Sequence, residues 1–223
     1  MISVIVTVGP DPAYLEFLDE CLVSIRRQAI EGLEIVVVDD AAHLPLIDAD
    51  TYIQLPWNLG QAAAINIGIA QAKYDLIFVM GGCDDVLLEG CLDQCLEKYR
   101  VQNARWACFS PCLITSLGER STIPQGVWLF HRSMWAAIGG YPPEAGIGEV
   151  DSIFCSLMIT RKVKLYDVGR EPLYWHREHP KALTQNKSFM RREASGLIRT
   201  MCTLEWKQPE WIRGFGYNIE KVD

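Results

Sequence analysis

Two pairs of adjacent aspartates, Asp39-Asp40 and Asp84-Asp85, each follow a short apolar run rich in strand-forming residues. Carboxylates gathered at strand ends suit a divalent cation, and a cation suits a diphosphate leaving group. The first pair offers acceptors for a base or a ribose, and the second offers a metal ligand. A single Asp-Asp after a strand is often a turn or a helix cap. Two such pairs on adjacent buried strands carry more weight.

The elements that must position these carboxylates alternate in type. Residues 2–8 are β-branched and apolar and read as a buried strand, followed by a Gly9-Pro10-Asp11-Pro12 turn. Residues 14–28 have helical periodicity through Leu15, Leu18, Leu22 and Ile25. Strands are expected over 33–38, 52–55 and 76–80, and helices over 61–73 and 88–101. Beyond residue 100 the pattern loosens. Strands are expected over 106–115, 126–130 and 164–168, and helices over 133–138, 151–159 and 188–204. Short apolar strands alternating with helices predict an α/β fold with a mainly parallel, doubly wound, Rossmann-like sheet flanked by helices. Such sheets bind ligands at the carboxyl ends of their strands, where both aspartate pairs fall.

The chain has 223 residues, enough for a substantial core, and a formal charge of −7. Residues 1–100 hold 16 acidic and 5 basic side chains, whereas 161–204 hold 10 basic and 4 acidic. The overall sign argues against nonspecific nucleic-acid binding. The basic stretch suits a diphosphate, an acidic acceptor, anionic lipid or simply solvent. No apolar run approaches the roughly 20 residues that span a bilayer. Met1 leads straight into a strand-like run, with no basic region and apolar segment of a signal peptide. The eight cysteines are therefore expected as free thiols in a reducing compartment, several of them in the core. Cys91/Cys95 and Cys108/Cys112 are each four apart rather than in a C-x-x-C, which favours core packing over zinc.

Six segments in order resemble the family 2 inverting glycosyltransferases of the GT-A fold. ISVIVTVGPDPAYLEFLDECLVSIRRQAIEGLEIVVVDD is similar to their opening strand–helix–strand. NLGQAAAINIGIAQAKYDLIFV is similar to the next helix and strand, and GGCDDVLLEGCL stands where a D-x-D metal motif belongs. WLFHRSMWAAIGGYPPE, GEVDSIF and EPLYWHREHPKALT resemble the acceptor-side, base and C-terminal histidine segments. The likeness runs over about residues 2–184.

The resemblance implies a single GT-A domain with a smaller acceptor-side subregion. Residues 1–100 would bind a nucleotide sugar, 101–184 the acceptor and the catalytic base, and 185–223 would form a helical extension. Asp39 would accept from the base, with Thr7, Val8, Asp40, Asn58, Gly60 and Asp84 also facing the donor. Asp84 and His179 would hold Mn2+ or Mg2+, with His176 the second choice of histidine. Asp151 would be the general base and Glu149 its alternate. The donor would be a nucleotide-diphospho-sugar, UDP-sugar favoured. The acceptor could be a glycan, a lipid-linked sugar, a protein or a modified base. With no spanning segment, the expected location is the cytoplasm or the periphery of a membrane.

This sequence departs from the pattern at several points. Thr7-Val8-Gly9-Pro10 stands for P-T-Y-N, Gly82 for the first D-x-D aspartate, and Val150 splits the E-D pair. A degenerate GT-A domain that binds nucleotide sugar or glycan without catalysis is thus the alternative reading. A dinucleotide-binding oxidoreductase or a methyltransferase would want a glycine-rich turn after the first strand, and Gly9-Pro10-Asp11-Pro12 is not one. A sugar-nucleotide pyrophosphorylase would want a basic, glycine-rich loop there, and this loop is acidic.

Overall fold

A computed structural model of the chain describes residues 1–45, 47–115, 118, 120–121, 126–142 and 150–179. The first half alternates as expected: β1 (Ile2–Val8), α1 (Leu15–Arg26), β2 (Leu33–Asp39), β3 (Thr51–Gln54), α2 (Gln61–Gln71), β4 (Leu76–Val79), β5 (Val86–Leu87) and α3 (Cys91–Gln102). The second half continues with β6 (Ala107–Pro111), β7 (Leu113–Thr115), β8 (Arg120–Ser121), β9 (Trp128–His131), α4 (Arg132–Ile138), α5 (Val150–Thr160), β10 (Lys164–Val168) and β11 (Tyr174–His176). The helix expected over 188–204 and the extension over 185–223 lie outside the described residues.

The main sheet has seven strands in the order β10-β6-β9-β4-β1-β2-β3. β1 pairs in parallel with β2 and β4, β2 with β3, and β10 with β6, while β9 runs antiparallel between β4 and β6. The carboxyl ends of β1, β2 and β4 therefore open on one edge. The continuous apolar run of β1 is explained by burial on both faces. Ile2, Val4, Val6 and Val8 pack with Leu18, Leu22 and Ile25 of α1 and Leu92 and Leu96 of α3. Ile5 packs on the other face, with Ile65 and Ile69 of α2 and Phe154 and Leu157 of α5. Gly68 brings α2 close: a Cβ there would stand 2.7 Å from the Ile5 Cγ2. Fully buried aromatic and branched side chains of this kind each contribute about 1.5–3 kcal/mol.

A second sheet, β5-β11-β7-β8, was not foreseen. The run expected as one strand over 106–115 divides at Cys112, with β6 in the main sheet and β7 in the small one. β11 pairs in parallel with β7 and antiparallel with β5. That pairing brings the Trp175–His179 segment onto the loop after β4. The described cysteines are all free, and all but Cys155 are buried. Among the described residues no helix is long and apolar enough to cross a membrane.

Candidate active site

A cavity of about 380 Å³ lies at the carboxyl edge of the main sheet. Its lining includes Thr7 from β1, Asp40 after β2, Asn58 and Gly60 before α2, Asp84 and Asp85 after β4, Asp151 on α5 and His176 on β11. Thr7, Asp40 and Asp84 thus meet because β4, β1 and β2 run parallel and end side by side. β1 stands between the two aspartate-bearing strands that were expected to be adjacent. Five aspartates face the cavity, counting Asp11, and no lysine or arginine is among its described lining residues.

Asp40 is held by backbone. Its Oδ1 accepts from Leu59 N at 2.6 Å and its Oδ2 from Gly60 N at 2.9 Å, leaving acceptor capacity on both oxygens. Gly60, at φ +87°, adopts a conformation that disfavours other residues, and its N–H also reaches Asn58 Oδ1 at 2.8 Å. The two hydrogen bonds fix the entry to α2 against the end of β2.

Two residues expected at the donor do not reach the cavity. Val8 is fully buried in the core, because successive strand residues face opposite sides and Thr7 takes the outward place. Asp39 is likewise fully buried and spends its carboxylate on its own loop. Oδ1 accepts from Ala42 N at 2.6 Å and His43 N at 3.1 Å, and Oδ2 from Leu44 N at 2.8 Å and Tyr52 Oη at 2.6 Å. About four lone-pair sites are available to a carboxylate, and all four are used. Burial alone would raise the Asp39 pKa, but these donors outweigh it and hold it below the ordinary value. Burial, and then the same bond, pushes the Tyr52 phenol up to about 12.

The second aspartate pair meets the histidine segment. Asp84 Oδ2 lies 3.0 Å from His179 Nε2, and Asp85 Oδ1 lies 3.0 Å from His176 Nδ1. Asp85 also accepts from Arg177 N at 2.9 Å and from the Tyr174 hydroxyl, which in turn receives Gly81 N at 3.1 Å. Arg177 locks this corner. Its guanidinium stands 4.3 Å from the Phe17 ring centroid and 4.4 Å from that of Trp175. It donates to the Asp84 carbonyl at 2.9 Å and to Glu20. Burial first, and then the charge of Asp85, push the Asp84 pKa up. The His176 pKa is raised chiefly by its bond to Asp85, against the effect of burial.

This donor set fits a hard or borderline divalent cation. Asp84 brings a carboxylate in a place where negative charge is in excess, and His179 brings an imidazole nitrogen beside it. Among the described residues no group of three or more His, Cys, Asp or Glu side chains is arranged to hold a metal. Asp84 and His179 would be the protein's share of such a site. Gly82 shapes the corner, since a Cβ there would stand 2.2 Å from Asp84 Oδ1. The carboxylate of Asp84 fills the space that a side chain at 82 would need.

Asp151 lies in the first turn of α5 and lines the cavity, while Glu149 lies outside the described residues. Sequence reasoning overlooked Arg177, Tyr174 and Tyr141, which stand in segments it did single out. The signal was an arginine between two histidines and a tyrosine after Gly139-Gly140, but their partners are distant in sequence.

The family model described as "Glycosyl transferase family 2" matches residues 3–121. No curated protein matches by sequence. Among solved structures, S. aureus TarS 1–349 in complex with UDP-GlcNAc has a TM-score of 0.74 at 12% identity, covering 96% of this chain and 70% of that one. The same TarS fragment in complex with UDP has a TM-score of 0.71 at 14% identity, covering 96% and 69%. Against the longer S. aureus TarS structure the values are 0.71 and 14%, covering 96% of this chain and 42% of that one. Likeness at these identities establishes the fold and leaves activity to the site itself.

Proposed function

The chain belongs to glycosyl transferase family 2, and on that premise we propose that it moves a sugar from a UDP-sugar to an acceptor hydroxyl, with inversion at the anomeric carbon and with the help of Mn2+ or Mg2+. One observation carries the reading: Asp40, Asp84 and Asp151 line a single cavity at the carboxyl edge of the sheet. UDP and UDP-GlcNAc are bound by TarS, which has this fold, and that supports a uridine-diphosphate donor.

In this reading Asp40, rather than Asp39, receives donor hydrogens from the nucleoside, beside Thr7 and Asn58. Asp84 and His179 hold the cation, which when bound offsets the negative charge gathering on the diphosphate. Asp151 removes the proton from the acceptor hydroxyl as that oxygen attacks the anomeric carbon. The bond from the anomeric carbon to the diphosphate oxygen breaks with its electron pair leaving on UDP. A single displacement inverts the configuration. Residues 1–100 thus hold most of the donor, and 101–184 bring the base and the acceptor side together with His179 at the cation. The acceptor is a hydroxyl of a glycan, a lipid-linked sugar, a protein or a modified base.

A thermal-shift panel of nucleotide sugars, with Mn2+ and with EDTA, tests this. A donor at a hundred times its Kd adds about 2.7 kcal/mol of stability. A UDP-sugar is expected to raise Tm with Mn2+ and much less in EDTA. No shift with any nucleotide sugar would overturn the donor assignment, and equal shifts in EDTA would overturn the cation. Gly82, with one carboxylate fewer than the D-x-D pattern, favours a second reading as a non-catalytic binding module. Release of UDP from bound donor separates the two.

A further inference from the structure

Tyr141 is a lining residue of the cavity and carries a buried hydroxyl. The residue is 1% exposed and shares the lining with Asp151, Val150, Ile65 and Gly126. Among the described residues its Oη has no hydrogen-bond partner. A buried hydroxyl without a partner lowers stability, so such a group calls for an explanation. Trp128 Nε1 is in the same condition, but Trp128 does not line the cavity.

The rest of Tyr141 is held firmly. Asn66, fully buried on α2, accepts from Tyr141 N at 2.9 Å and donates to the Tyr141 carbonyl at 2.6 Å. The same Asn66 Oδ1 accepts from Trp135 Nε1 at 2.9 Å, tying α2 to α4. The Tyr141 ring stacks on Phe154, with centroids 3.8 Å apart and planes 11° from parallel. Phe154 lies on α5, about one turn after Asp151. With backbone and ring both fixed, the hydroxyl cannot turn away to find another partner. Burial first, then Cys108 and Asp151, push the phenol pKa well up, so the group keeps its proton and acts as a donor.

We propose that Tyr141 Oη donates a hydrogen bond to an oxygen of the sugar carried by the donor, and so helps to choose which sugar is transferred. The proposal rests on the nucleotide-sugar reading above. Gly126 belongs to the wall that Tyr141 shares with Asp151. A Cβ there would stand 3.3 Å from Asp151 Cβ and 3.6 Å from Gly81 Cα. The end of β4, next to Asp84, is thus about one residue's width from the helix that bears Asp151. In a single displacement the anomeric carbon stands between the leaving diphosphate and the base, so the wall joining these two faces the sugar. A neutral hydroxyl donor also suits a sugar oxygen, whereas a diphosphate calls for cationic partners.

Tyr141→Phe removes one oxygen and keeps the ring stack. Calorimetry in Mn2+ is run on both proteins with UDP, UDP-GlcNAc, UDP-glucose and UDP-galactose, together with Tm in the absence of ligand. For any sugar nucleotide that the wild type binds more tightly than UDP, the variant is expected to bind about 5–10-fold more weakly, in line with the loss of one hydrogen bond. UDP affinity is expected to stay the same, and Tm to hold or rise. The proposal is overturned by unchanged sugar-nucleotide affinity in the variant, by an equal loss for UDP, or by a wild type that gains nothing from any of the three sugars. A wild type that binds neither UDP nor the sugars overturns the nucleotide-sugar reading itself.

Discussion

His179 Nε2 stands 3.0 Å from Asp84 Oδ2, although 95 residues separate them. The imidazole is held against Tyr14 and Phe17, with ring centroids 5.7 and 5.3 Å away. Removing it takes away a nitrogen donor while Thr7, Asp40 and Asn58 keep their places in the cavity. His179→Ala is expected to lower UDP affinity at least tenfold in Mn2+, the scale on which groups around a metal act, and to leave affinity in EDTA unchanged. Calorimetry in both conditions checks this. An equal loss in each would mean that His179 supports the loop rather than an ion.

Gly82 offers a second handle on the same corner. A new Cβ would meet the free end of a side chain, Asp84 Oδ1, rather than backbone. Gly82→Ala is therefore expected to keep the fold, with Tm within a few degrees of wild type, while turning Asp84 away from His179. Mn2+-dependent UDP binding should weaken. Unchanged binding would show that the Asp84 orientation in this corner is not needed for the cation.

Asp39 is assigned to loop structure, and the assignment has a pH signature. Its pKa is lowered in the folded protein, so it adds stability that is full above the ordinary aspartate value of about 4 and is lost as pH falls through the lower, folded value. Asp39→Asn is expected to cost about 1.5–3 kcal/mol at neutral pH, the usual weight of hydrogen bonds to a charged group. The Tm gap between the two proteins should be constant from pH 7 to about 5 and narrow below about 4. Thermal unfolding over that range checks it. A stable Asp39→Asn that no longer binds UDP would return Asp39 to the donor.

Much of this was legible in the sequence, for physical reasons. β1, β2 and β4 are short β-branched or apolar runs, and helices α1 and α5 carry periodic apolar faces, so local pattern suffices. The small sheet was not legible. Tyr174–His176 is only three residues long, and its partner Leu113 is 61 positions away. No local periodicity records a pairing of that kind. The same limit applies to the site. Asp40 and Asp84 were found because they close strands. Whether Asp39 or Asp40 faces the cavity depends on Tyr52 and on the loop amides of Ala42, His43 and Leu44, which no pattern in the chain announces.

Sugar transfer by displacement with Asp151 as base is tested by UDP release from a bound UDP-sugar, measured with donor affinity for wild type and Asp151→Asn. Water serves as the acceptor where none is supplied. Asn has the size and shape of Asp, so a merely structural role in the first turn of α5 predicts near-normal turnover. With Asp151 as base, the variant is expected to keep donor affinity close to wild type and to release UDP about 10²–10⁴-fold more slowly, the usual weight of a positioned base. Equal UDP release by the two proteins would contradict it.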